Sequence, residues 1–425
     1  MSSLYKKRIN KVRALLKSTG VPSAIILSSA KSATKSGDTT YSYRPDSNLY
    51  YLTGSTGKEI NLFISTEHRN CFLIVPPEDL HKSAWEGSPP NYRSLAKSIG
   101  AELIVTDNAS AELRKRLVNH EVLYHQNSNG TLSFHISTEL QSIPYFARSK
   151  LPASFTHVDH LMQELRAYKD PVELKLIRKA ANITNHALFE TVPFITPNAL
   201  ECEIASTIDY LFRIQSAEPS FSTIVAAGPS AATLHYEEQN RKVKSNELIL
   251  LDCGAAYQFY AADITRTLPV SGNFNQQQKE LYSGVLEAQE AAIKTARHGV
   301  SIKKVHSVAA KLITECLVDV GVLRGKVSQL MNKGAYKPYF MHGIGHSLGL
   351  DVHDLGNLRD RGEGTLKAGM VLTIEPGIYF CKKTRHIPTC GIRIEDDILI
   401  KRGAPEVLSA GFPKSISEVE DLMNQ

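Results

Sequence analysis

The sequence predicts a mixed α and β protein in two parts: a smaller α/β domain over residues 1–164, then an α+β domain over residues 165–425. Three observations predict it. Up to about residue 160, short apolar runs ("AIILS", "NLFIS", "CFLIVP", "ELIVT") alternate with helix-like stretches, as when strands and helices build one layered sheet. A strong helix start then stands at "KDPVELKLIRKAANIT". Beyond it, long amphipathic helices are mixed with strand sequence suited to antiparallel pairing.

The elements follow in order. "MSSLYKKRINKVRALLKSTG" reads as a surface helix with Ile9, Val12, Leu15 and Leu16 on one face and Gly20 as its stop. A basic organellar presequence is the alternative reading of that stretch, which lacks the apolar centre of a secretory signal. At the second domain's first helix, Asp170 caps, Pro171 suits the first helical position and Glu173 completes a capping box. Leu174, Ile177 and Ala181 recur at helical spacing. "NQQQKELYSGVLEAQEAAIKTARHG" is a second helix, capped by Asn275 and stopped at Gly299, and "SIKKVHSVAAKLITECLVDVG" is a third. Strand signals lie at "ELILLDCG", "ADITRTLPV", "MVLTIEPGIYF" and "CGIRIEDDILI".

Composition narrows the class. The 425 residues are 42% hydrophobic and 22% charged, an ordinary globular balance with room for a substantial core. No apolar run approaches the ~20 residues needed to span a bilayer, so no membrane association is expected. The net charge of +6 is concentrated at the start. Eight of the 49 basic residues precede the first acidic residue, Asp38, which leaves 41 against 43 acidic residues. A near-neutral body gives no reason to expect a nucleic-acid partner. Cys71, Cys202, Cys253, Cys316, Cys381 and Cys390 show no Cys-x-x-Cys spacing. Free thiols and a reducing compartment are expected, with Cys381–Cys390 the one pairing to consider.

Four carboxylates then stand out. Asp252 closes one apolar run and Asp263 sits in the next. A hairpin turning at Tyr257–Gln258 would set them directly opposite each other, with Cβ atoms ~4.5–5.5 Å apart. Two ionised carboxylates at that distance need a cation or a shared proton. Aspartates on the wet face of a surface hairpin are the plainer alternative. Glu375 in "VLTIEPGIYF" and Glu395 in "GIRIEDDILI" are embedded in apolar strand sequence, where a carboxylate is costly unless paired or metal-bound. Asp396 and Asp397 read as ordinary loop or edge charges. Four carboxylates with one histidine would make a two-metal site, able to activate a water and polarise a carbonyl. Oxygen-rich ligation favours Mn²⁺, with Fe²⁺, Co²⁺ or Zn²⁺ as alternatives.

The histidine comes from "MHGIGHSLGLDVHD". His342 and His346 have the spacing of a helical metal pair, but Gly343 and Gly345 lie between them, each costing ~1 kcal/mol in a helix. The glutamate of a His-Glu-x-x-His motif is also missing. A turning, glycine-rich segment is expected instead, with His342, His346 and His353 facing different directions.

Together these stretches resemble the pita-bread metallopeptidases, and within them the Xaa-Pro aminopeptidase (aminopeptidase P) family. The matching segments are "LHYEEQN", "LILLDCGAAYQFYAADITRTLPVSG", "YFMHGIGHSLGLDVHD", "LKAGMVLTIEPGIY" and "GIRIEDDILI", in the family's order. An earlier stretch, "RPDSNLYYLTG", looks like the family's creatinase-like N-terminal domain. The resemblance implies a pita-bread catalytic domain with pseudo-two-fold halves. It implies Asp252, Asp263, His346, Glu375 and Glu395 as ligands of two divalent ions, with Asp263 and Glu395 bridging. His342 and His353 would serve substrate and reacting centre, His235 the substrate pocket, and Arg393 the surrounding network.

The implied reaction is attack of a metal-bridging hydroxide on the Xaa-Pro bond of a peptide, with Glu375 shuttling the proton. A prolidase cleaving Xaa-Pro dipeptides is the nearest alternative. A methionyl aminopeptidase fits less well, since those enzymes usually lack so large an N-terminal domain, and a non-catalytic binding protein would have lost ligands. A homodimer or homotetramer in the bacterial cytoplasm is the implied setting, with a mitochondrial relative as the alternative. Three departures are visible: "YQFY" where the family often has a glycine in the hairpin turn, Asn48 where bacterial relatives often have Asp, and the unusual "FCKKTRHIPTCG".

Overall fold

The computed structural model describes residues 2–128, 131–144, 150–356, 358, 364–384 and 386–425. The chain divides into two compact units, Met1–Leu165 and Arg166–Gln425.

In the first unit, helix α1 (Ser2–Ser18) buries Ile9, Val12 and Leu16, while Leu15 is only half-buried. Gly20 follows in the left-handed conformation. The four apolar runs become strands β1 (Ser23–Ser28), β2 (Asn61–Ser65), β3 (Cys71–Val75) and β4 (Ala101–Val105). With β5 (Val122–His125) and β6 (Ser154–His157) they form a six-stranded mixed sheet in the order β4-β3-β2-β1-β5-β6. Strands β1, β2 and β3 are buried along their whole length, which is why they read as continuous rather than alternating apolar sequence. In "RPDSNLYYLTG", Asp46 caps helix α2 (Ser47–Thr53). The buried Asn48 donates from Nδ2 to Asp159 Oδ1 at 2.9 Å.

The second unit opens on α3 (Pro171–Thr191), where the Asp170–Glu173 capping box forms as the spacing predicts. Helices α4 (Glu201–Arg213), α5 (Gln276–Thr295) and α6 (Ile302–Asp319) cover the sheet structure, and Asn275 and Ser301 cap the latter two. The named strand pairings of this unit are all antiparallel. Strand β7 (Ile224–Ala227) pairs with β8 (Leu248–Cys253), and β8 with β11 (Ile264–Pro269). Between the last two, β9 (Ala255–Tyr257) and β10 (Tyr260–Ala261) form the hairpin tip.

The two glutamate-bearing stretches are not continuous strands. "MVLTIEPGIYF" splits into β12 (Val371–Ile374) and β13 (Gly377–Phe380), and "CGIRIEDDILI" into β14 (Cys390–Arg393) and β15 (Asp396–Leu399). The breaks fall at Glu375–Pro376 and Ile394–Glu395. Proline 376 has no N–H for a ladder bond. The Glu395 N–H leaves its own hairpin and donates to Thr265 C=O at 3.1 Å, so the two hairpins meet at the acidic residues. The segment after β13 turns at Thr384, whose N–H donates to Ile387 C=O at 2.9 Å. Lys382 and Lys383 there are exposed, and Arg385 lies outside the described residues. All six cysteines are free. Among the described residues, no helix is long and apolar enough to cross a membrane.

One register differs from expectation. Asp252 pairs with Thr265, not with Asp263, and at the tip Tyr257 pairs with Tyr260. The turn is Gln258–Phe259, one residue later than expected, and the aspartates are diagonal neighbours. Both turn residues have positive φ, 48° and 67°, as a two-residue hairpin turn matching the strand twist requires. Neither is glycine, so both carry the steric cost of the left-handed region. Exposed Gln258 is the cleaner site to relieve it. Gln258→Gly should stabilise the protein by about 0.5–1 kcal/mol in urea unfolding, the steric relief exceeding the entropy lost by glycine.

Candidate metal centre

The breaks in the strands direct the acidic residues inward. Asp263 and Glu395 are 5% and 2% exposed. One ligand atom from each of Asp263, His346 and Glu395 lies within 4.8 Å of the others. His346 Nε2 is 3.4 Å from Asp263 Oδ2 and 3.6 Å from Glu375 Oε1. Its other ring nitrogen, Nδ1, is 3.2 Å from Ser347 C=O. An Nδ1–H donating there leaves the Nε2 lone pair facing the carboxylates, the tautomer a metal needs.

Threonines orient the two glutamates. Thr265 Oγ1 donates to Glu395 Oε2 at 2.6 Å, and Thr373 Oγ1 donates to Glu375 Oε1 at 3.2 Å. Asp397 Oδ2 accepts the Asp263 N–H at 3.2 Å. Asp252 stands apart from the three-residue cluster. Its Oδ2 accepts from Arg393 Nη2 at 2.5 Å, while among the described residues its buried Oδ1 accepts no hydrogen bond, and neither does Glu395 Oε1. Burial, then repulsion by Glu395 and Asp252, pushes the Asp263 carboxyl well above its usual range. Burial, then Glu375 and Asp252, does the same to Glu395. Buried acceptor oxygens on mutually repelling carboxylates, with the His346 imidazole among them, fit a hard divalent cation.

The other histidines separate by environment. His342 is half-buried, with Nε2 2.9 Å from Tyr379 Oη and Nδ1 2.8 Å from Gly343 C=O. Arg393 Nη1 also donates to Tyr379 Oη at 2.9 Å. Arginine only donates, so the tyrosine hydroxyl gives its own proton to His342 Nε2, and Nδ1–H bonds the Gly343 carbonyl. Burial, then Arg393, lowers the His342 pKa to about 4, so this imidazole is neutral near pH 7. His353 is exposed, with its ring centroid 4.2 Å from that of His346. His235 is exposed and close enough to His342 to oppose its protonation. The histidine segment turns without helix, as the glycines indicate. A Cβ on Gly345 would lie 1.9 Å from Thr373 C=O.

One further expectation needs correction. Asp396 and Asp397 are not loop or edge charges: both are buried in β15. Asp396 accepts from Arg266, Lys414, Gln289 and Ser409. Burial pushes its carboxyl up, but Arg266 and Lys414 outweigh burial and hold it well below the usual range. Sequence reasoning also passed over Tyr379, Thr265 and Thr373. The strand period of two marks all three: Thr265 is two residues after Asp263, Thr373 two before Glu375, and Tyr379 four after it.

Two family models match this chain. One, metallopeptidase family M24, covers residues 175–402; the other, the aminopeptidase P N-terminal domain, covers residues 5–124. The chain belongs to metallopeptidase family M24. Among its relatives, the Xaa-Pro aminopeptidase of Haemophilus influenzae is 34% identical over 412 residues, covering 95% of this chain and 93% of its own. That of Escherichia coli is 34% identical over 441 residues, covering 100% and 99%. A substituted Escherichia coli aminopeptidase P in complex with substrate superposes with a TM-score of 0.92 at 31% identity, over 100% of this chain and 98% of that one. The fold is therefore the aminopeptidase P fold, an N-terminal domain followed by a pita-bread domain. The family implies divalent metal ions, and the donor set above fits them.

Chelation tests that fit. The raised carboxyl pKa values mean that, without metal, protonation favours the folded form; that contribution is complete below the unfolded-state values near ~4 and is lost as pH rises through the folded ones. Removing metal should therefore lower the melting temperature more at pH 8 than at pH 5. Thermal melts with and without chelator at both values check it.

Proposed function

We propose that this chain is a metal-dependent aminopeptidase that removes the N-terminal residue from peptides with proline second. The observation that carries this reading is the convergence of Asp263, His346 and Glu395, with Glu375 beside them, in a chain alignable from end to end with Xaa-Pro aminopeptidases. Asp252, Asp263, His346, Glu375 and Glu395 are assigned as ligands of two divalent ions, with Mn²⁺ the first choice for oxygen-rich ligation. Every residue assigned a role lies in 165–425, the segment we designate catalytic. Cytoplasmic placement suits the free thiols. A homodimer or homotetramer is the assembly proposed by resemblance.

When bound, such ions acidify a water and polarise the scissile carbonyl. The chain's own residues do the rest. Glu375 is the half-buried carboxylate, with Oε1 held by Thr373, and is placed to take a proton and pass it to the leaving imino nitrogen. His353, exposed beside His346, is assigned as a donor to the developing oxyanion. His342 stays neutral, with its two ring nitrogens bonded to Tyr379 and Gly343, and is assigned to line the substrate side of the site without adding charge. His235 is assigned to the substrate pocket. Arg393 spans Asp252, Thr265 and Tyr379, and so holds ligand and network in one geometry. A prolyl amide has no N–H, so the pocket must read ring shape and the trans bond.

With added Mn²⁺, an Xaa-Pro-Yaa tripeptide should release its first residue. Faster turnover of Xaa-Pro dipeptides than tripeptides would favour a prolidase instead. Glu375→Ala should lower kcat by at least ~100-fold, the scale of a lost general acid–base, with the fold retained by circular dichroism.

A further inference from the structure

An ion cluster lies behind the His353 loop, and nothing in the proposed reaction uses it. Arg166 and Lys169 have side chains 2% and 1% exposed. Arg166 Nη2 donates to Asp351 Oδ2 at 2.6 Å and to Asp354 Oδ1. Lys169 Nζ donates to Asp354 Oδ2 at 3.0 Å and to Arg166 C=O at 2.7 Å. Both oxygens of the buried Asp354 carboxylate are thus held by cations from one short segment. Dehydrating such a cluster is costly, so apolar packing would serve stability as well or better.

The cluster's geometry leads back to the metal centre. Asp354 N–H donates to Ser347 C=O at 2.9 Å. The same carbonyl is the partner of His346 Nδ1. One acceptor therefore ties Asp354 to the imidazole that faces the carboxylates. The residue before Asp354 is His353, whose ring leans on that of His346. The loop closes so tightly that a Cβ on Gly349 would lie 2.0 Å from Asp354 Oδ2 and 2.9 Å from Lys169 Cε. Gly349 C=O in turn accepts the Ala261 N–H at 2.8 Å, two residues before Asp263.

We infer that Arg166 and Lys169 are positioning residues: by clamping Asp354 they set the orientation of the His353 and His346 imidazoles. The inference rests on the proposed peptidase reading. A double-mutant cycle on the full-length, Mn²⁺-loaded protein tests it. Lys169→Met should lower kcat/KM for an Xaa-Pro-Yaa peptide by about 10–100-fold, as losses of outer-shell partners do. Combined with His353→Ala, it should add little beyond His353→Ala alone, because both act through one group. If Lys169→Met does not fold, Arg166→Lys, which keeps both charges and shortens one arm, carries the same cycle. A second readout needs no turnover. In metal-free protein labelled with ¹⁵N-histidine, the His346 and His353 ring signals should shift in the clamp variant and stay put in Lys311→Met, a change at an exposed lysine of α6. Parental kcat/KM in the clamp variant, losses that multiply in full with His353→Ala, or unmoved ring signals would each overturn the inference. A parental protein that leaves the peptide uncut would instead remove the peptidase reading, and the ring signals alone would then decide the positioning.

Discussion

Several carboxylates facing one buried pocket repel one another, and the second unit is organised around that repulsion. Asp252, Asp263, Glu375 and Glu395 each raise the pKa of at least one other member of the set or are raised by it. Among the described residues, Arg393 is the cation that bonds the group directly, through Asp252. The remaining negative charge has to be met by protons or by metal. Hence the fold holds Glu395 through Thr265 and Glu375 through Thr373 and, among the described residues, leaves acceptor oxygens of Asp252 and Glu395 without hydrogen bonds. A divalent cation satisfies both conditions at once, since it neutralises charge and consumes lone pairs.

This constraint also accounts for where the strands break. A glutamate in an uninterrupted ladder would keep its backbone paired within one hairpin. Breaking at Pro376 and at Glu395 lets the backbone of one hairpin bond to the other, through Glu395 N–H and Thr265 C=O. The candidate ligands then come from both hairpins at a single seam. The histidine segment reaches the same seam because glycine at 345 lets it press against Thr373 of β12.

Much of this was legible in residue patterns, and the gaps have physical causes. Helix starts were read correctly because caps are local: Asp170, Asn275 and Ser301 each satisfy N–H groups two or three residues ahead. The hairpin register was read wrongly because it depends on which two residues occupy the left-handed region, and neither Gln258 nor Phe259 signals it as glycine would. The candidate ligands stand out as acids stranded in apolar sequence. The grouping was not: only the tertiary structure separates Asp252, held by Arg393, from the close Asp263–His346–Glu395 set. Tyr379 went unnoticed because a buried tyrosine in a strand reads as core until its hydroxyl partners are known.

The run Glu395-Asp396-Asp397 shows how far identical chemistry diverges under strand geometry. Successive side chains of a strand point to opposite faces. Glu395 faces the ligand pocket and is pushed up by other anions. Asp396 turns to the opposite face, where Arg266 and Lys414 hold it down. Asp397 returns to the first face, where burial raises it again and the Asp263 N–H steadies it. Arg266 binds the Asp396 carboxylate and the Glu395 carbonyl together. The Arg266–Asp396 ion pair therefore fixes the backbone from which the pocket-facing Glu395 carboxylate projects. Net charge along this run says nothing about function; the alternation of faces, and which face carries a counter-charge, does.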